Sequence, residues 1–141
     1  MHRAHVAVAA VAGAADRAND NIPDDQREAL RSQMLRALSK TNGPEGVLAL
    51  GELTQGYVPQ PHHAELIKLA LDAIYTRTHT LILEPAGAAK TTWGDTILLS
   101  WLVGMFRNVR VGLFSQTAEF SEAFSGAIMG MIEGNDEYRA V

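Results

Sequence analysis

The chain has no cysteine, which excludes a disulfide framework, a thiolate metal site and a cysteine nucleophile. It also lacks an excess of positive charge. Its 12 Lys and Arg stand against 16 Asp and Glu, a net charge of −4. That balance argues against a basic nucleic-acid-binding module, although a local basic patch can coexist with a negative total. No apolar run approaches the ~20 residues that cross a bilayer; the nearest is "TILLSWLVGMF", which is interrupted upstream by Asp95. Internal repeats are absent. What remains is a chain of 141 residues, 47% apolar, long enough for one ordinary domain with its own core. Its start, "MHRAHVAVAAVAGAADR", has the outline of a secretory signal, but alanine is too weakly hydrophobic to make a good one. It reads instead as an alanine-rich leader.

Hydrophobic spacing places an amphipathic helix at residues 25–40, with Leu30, Met34, Leu35 and Leu38 on one face. "TNGPEG" stops it, and residues 47–60 read as irregular. A second helix is expected over residues 62–76, on Leu66, Ala70, Leu71 and Ile74. "HTLIL" (79–83) and "VRVGLF" (109–114) read as buried strands, and residues 91–106 as a helix apolar on nearly every side. Residues 117–134 form the clearest helix, with Thr117 as N-cap and Phe120, Phe124, Ile128, Met131 and Ile132 on one face. Strand, loop, helix, strand, helix is the order of an α/β domain with a parallel sheet and right-handed crossovers. The alternation covers only one and a half such units, so the sequence reads as the front part of something longer.

The chemistry lies in "LILEPAGAAKTTW". A phosphate-binding loop needs a strand that delivers a tight turn, a helix whose N-terminal amides face the anion, a lysine for the terminal phosphates and an adjacent hydroxyl for magnesium. Here the turn is residues 84–89, the lysine is Lys90 and the hydroxyl is Thr91. In the pattern G-x-x-x-x-G-K-[ST] the two glycines fall at Glu84 and Ala89, so only Gly87 remains. Ala89 is expected to keep a negative φ, because the left-handed region costs an L-residue roughly 1–2 kcal/mol. Read alone, the stretch is either a degenerate phosphate loop or an ordinary helix start that contains Lys-Thr-Thr.

The surrounding sequence "PQPHHAELIKLALDAIYTRTHTLILEPAGAAKTTWGDTILLSWLVG" resembles the large terminase subunits of tailed bacteriophages, the ATPases that drive DNA into the capsid. "NVRVGLFSQTAEFSEAFSGAIMGMIEGNDEYRAV" continues the resemblance, which covers about residues 56–141. It implies a P-loop (Walker A) ATPase with a parallel sheet, using ATP and magnesium. On that reading Lys90 is the catalytic contact to the β- and γ-phosphates and Thr91 is the magnesium ligand. The loop Glu84, Pro85, Ala86, Gly87, Ala88 and Ala89 wraps the phosphates, the last three through backbone amides. Thr92 lies near the α-phosphate, and Gln60 and His62 near the adenine. Ala86 stands where many relatives carry arginine. Residues 1–46 are then a leader and helix, and residues 47–141 the N-terminal part of the ATPase domain.

The implied partners are double-stranded viral DNA, a portal protein, a small terminase subunit and further copies in a ring, in the host cytoplasm and away from any membrane. The second acidic motif and the nuclease domain of such a motor have no candidate here. The chain on its own is therefore expected to bind ATP weakly and to hydrolyse it negligibly. Two alternatives are a helicase-like P-loop ATPase and a non-catalytic α/β interaction protein with a chance Lys-Thr-Thr helix start. Beside the proline, His62 and His63 read as a solvent-facing helix start, since a zinc site would need more ligands and only His79 follows. Trp93 and Trp101, eight apart, read as core packing.

Overall fold

A computed structural model describes residues 23–83, 85–106 and 108–141; the alanine-rich leader lies outside the described residues. Among the described residues six α-helices follow one another: α1 (Asp24–Ser39), α2 (Pro44–Gln55), α3 (Pro61–Thr76), α4 (Leu98–Met105), α5 (Ala118–Gly134) and α6 (Asp136–Arg139). A π-helical segment, Thr91–Ile97, runs directly into α4.

Local chemistry accounts for most of the boundaries. Asp24 and Asp25 sit in the first turn of α1, where carboxylates meet the positive end of the helix dipole. Pro44 and Pro61 occupy the first turns of α2 and α3, where a missing N–H costs nothing. α2 ends on Gly56 at φ 68, the left-handed cap that favours glycine. Thr117 accepts from the Phe120 N–H at the start of α5, as its position in the sequence suggests. Asn135 does the same for α6 through the Tyr138 N–H, 3.0 Å away.

α2 is the hub. It packs against α1, α3, the π segment, α4 and α6. Residues 47–60, irregular by their sequence pattern, are mostly helix, and residues 46–52 of α2 are all buried. A helix buried on every side shows no apolar stripe, which is why periodicity misses it. Val47, Leu48 and Leu50 form the core with Leu66, Ile67 and Leu71 of α3 and with Trp93, Ile97, Leu98, Trp101 and Leu102. Gly51 allows Trp93 a close approach: a Cβ there would lie 2.5 Å from Cζ3 of its ring. The two tryptophans, 1% and 2% exposed, are core residues. The division between residues 46 and 47 falls inside α2.

The parallel sheet is not found. Among the described residues there is no strand, and the architecture is helical. Residues 79–83 and 109–114 are irregular backbone without a ladder between them. Leu81, Leu83 and Phe114 are 82%, 84% and 97% exposed, so the two apolar runs are not core strands. The physical reason lies in α2, whose apolar side chains fill the central place assigned to a sheet. A β-forming composition expresses fitness for a pleated, half-buried surface, and it does not create one without neighbouring strands. α5 also departs from expectation. Met131 is buried, but Phe120 is exposed and stacks on Phe124 at the surface.

Two ion pairs tie the ends of the bundle together. Arg31 of α1 reaches the buried Glu52 of α2, and Arg36 of α1 meets Glu137 of α6 with both carboxylate oxygens engaged. No helix among the described residues is long and apolar enough to cross a membrane.

Candidate functional site

The loop ahead of Lys90 has an unusual backbone. The Ala88 N–H donates to the Pro85 carbonyl over 3.3 Å, closing a four-residue turn whose third residue, Gly87, has φ 86. A positive φ at that position is the requirement of a type II turn, and it explains why a glycine stands there. Ala89 then takes φ 53, against the expectation of a negative value. It therefore holds the conformation that the phosphate-loop pattern assigns to glycine, with a methyl group in glycine's place. The Ala89 carbonyl accepts the first helical bond, from the Trp93 N–H at 3.0 Å. Lys90 follows at the helix start, exposed to solvent. Glu84 lies outside the described residues.

The strain at Ala89 is testable. Ala89→Gly relieves a left-handed alanine worth roughly 1–2 kcal/mol and adds unfolded-state entropy worth roughly 0.4–1 kcal/mol. A net stabilisation of up to about 1.5 kcal/mol is expected, read as a higher urea midpoint; a lower midpoint would show that the alanine is unstrained.

The helix that begins here starts wide. The Leu98 N–H donates to the Trp93 carbonyl, an i→i+5 bond of the π type, a geometry concentrated at functional sites. Trp93 fixes the orientation of the segment. Its ring stacks on His63 at 5.0 Å and 26°, which brings the first turn of α3 against the first turn of the π segment. His63 Nδ1 accepts from the Gln60 N–H at 3.0 Å, and the Gln60 side chain accepts in return from the backbone of residue 63, a reciprocal cap. His63, not His62, is thus the structural histidine of the pair, and His62 is exposed beside it. Gln60 and His62 therefore flank the histidine that stacks on Trp93, three residues after Lys90.

A cavity of about 280 Å³ opens at the helix start. Lys90, Thr91, Gly94 and Asp95 line one side, and the apolar Leu66 and Ile82 face them. Thr91 and Thr92 are half-buried, and Pro85, Ala86 and Gly87 lie exposed at the rim of the loop. Burial pushes the Asp95 carboxyl above its ordinary value of 3.8. A carboxyl raised in the folded state gives stability that is complete below the unfolded value and is lost as pH rises through the folded value. Asp95→Asn should therefore raise the melting temperature at neutral pH, with the gain vanishing below about pH 3.8. A gain of equal size at both pH values would assign it to packing instead.

A hard divalent cation suits this donor set better than zinc does. The hydroxyl and carboxylate are oxygen donors, and no group of three or more His, Cys, Asp or Glu capable of caging a metal exists among the described residues. A larger hollow of about 520 Å³ between α1 and α2 holds the Arg31–Glu52 pair, so its buried carboxylate is already neutralised.

Asp95 is the cavity residue that the sequence pattern does not single out. It stands four after Thr91, a spacing that puts two side chains on one helical face. Comparison with protein-family models, curated proteins and solved structures returns no match for this chain.

Proposed function

We propose that residues 85–92 bind the phosphates of ATP with magnesium, and that the chain is the nucleotide-binding part of a DNA-packaging ATPase of the large terminase type. The observation that carries this reading is Ala89. An ordinary helix start has no use for a left-handed alanine, and backbone strain of this kind is held where a function needs the geometry. Alternating left- and right-handed residues turn successive amides toward one point, the concavity that binds anions. The resemblance over residues 56–141 supplies the class of reaction.

Lys90 places a full charge against the β- and γ-phosphates, and the loop amides of Gly87, Ala88 and Ala89 surround them. Thr91 offers its hydroxyl to magnesium, which neutralises phosphate charge when bound. Thr92 lies toward the α-phosphate, with Gln60 and His62 toward the base. The reading rests on the loop and not on a sheet. It assigns nucleotide binding to this chain and names no residue as the water-orienting acid. Double-stranded DNA, a portal and a small terminase subunit, met in the host cytoplasm, are the partners the same resemblance proposes.

A phosphate series tests it. With magnesium present, the stabilisation given by a ligand follows its affinity, so the melting temperature should rise most with ATP, less with ADP and least with AMP. Equal shifts with AMP and ATP, or no shift with any nucleotide, would overturn the reading and leave Lys-Thr-Thr as a plain helix start.

A further inference from the structure

We propose that Asp95 is a second protein ligand of the divalent cation, holding it with Thr91 against the terminal phosphates; this rests on the phosphate-loop reading above. Both side chains line the same cavity as Lys90. The register of the helix is what brings them together. Thr91 and Asp95 are four apart, Lys90 and Asp95 five apart, and the segment is wound with i→i+5 bonds that bring such positions into line.

The chemistry of magnesium fits this arrangement. Magnesium is bound through one or two carboxylates plus substrate phosphates and waters, not by an all-protein cage. Thr91 alone offers one neutral oxygen, and Asp95 adds the charge. No ion pair engages the half-buried Asp95 carboxylate among the described residues, and Lys90, which lines the same cavity, is assigned to the phosphates. A carboxylate and a polyphosphate in one small cavity repel each other unless a cation lies between them. The same residue that opposes free ATP should therefore favour ATP with magnesium. Asp95 becomes the group that makes nucleotide binding depend on the metal.

The test is calorimetric titration of the full chain with ATP, once with magnesium and once with EDTA, for the natural sequence, Asp95→Asn and Asp95→Ser. The natural chain should bind more tightly with magnesium. Both substitutions should lower the ratio of the two affinities by about tenfold, by weakening binding with magnesium and leaving or improving it in EDTA. Using two replacements keeps the test intact if one of them folds poorly. A substitution that lowers both affinities equally, or leaves the ratio unchanged while the natural chain binds ATP in phosphate order, overturns this proposal alone. Failure of the natural chain to bind any nucleotide overturns it together with the phosphate-loop reading.

Discussion

Replacing Lys90 by alanine is expected to weaken ATP binding by roughly 10- to 150-fold, the equivalent of about 1.5–3 kcal/mol for a hydrogen bond to a charged group. The folded chain should hardly register the change. Lys90 is exposed at the start of the π segment and contributes nothing to the cluster around Val47 and Trp93. Alanine is also the better helix former. Loss of affinity with an unchanged melting temperature is therefore the signature, and the two measurements separate a ligand contact from a structural one. Lys90→Arg should recover part of the affinity, since it restores the charge with a different reach. Unchanged ATP affinity in a folded Lys90→Ala chain would remove the lysine from the site.

How much of this was legible in the sequence depends on which physical signal each element carries. α1, α3 and α5 have an apolar face, a cap or an acidic first turn, and all three were readable. α2 was not, because "VLALGEL" is buried on all sides and leaves no polar face to define a period. That omission explains the larger error. With α2 absent from the reading, "HTLIL" and "VRVGLF" were the natural candidates for the centre of the molecule, and a parallel sheet followed from their alternation with helices. Short apolar runs do not distinguish a buried strand from an extended connection; only a partner strand does.

The candidate site divides in the same way. Lys90, Thr91 and the loop were visible as a pattern of residue types. The left-handed backbone at Ala89 was not, because nothing in an alanine announces it. Asp95 was visible only as a charge that interrupts an apolar run, and its cavity is a product of packing between α3 and the π segment.

Trp101→Ala should be the most destabilising single change to the core, by about 3–5 kcal/mol as for large aromatic truncations elsewhere. The side chain is 2% exposed and packs in the main cluster with Leu48 and Leu102, edge-on to Phe106. It also has a polar duty. Its Nε1–H donates to the Ser39 carbonyl at 3.0 Å, satisfying the last turn of α1 across 62 residues of chain. Truncation to alanine removes the packing and the donor together. Trp101→Phe removes mainly the donor and leaves Ser39 with a buried, unpaired carbonyl, a loss of about 1–3 kcal/mol. The two variants therefore divide the total into packing and hydrogen bonding. Because small domains hold only about 5–15 kcal/mol in all, the alanine variant sits near the limit of folding, and the phenylalanine variant carries the measurement if it fails. Urea unfolding followed by tryptophan fluorescence suits both, with Trp93 as the remaining reporter. If Trp101→Phe matched the natural chain within about 0.5 kcal/mol, the range of ordinary surface substitutions, the α1 anchor would be refuted and packing alone would account for the tryptophan.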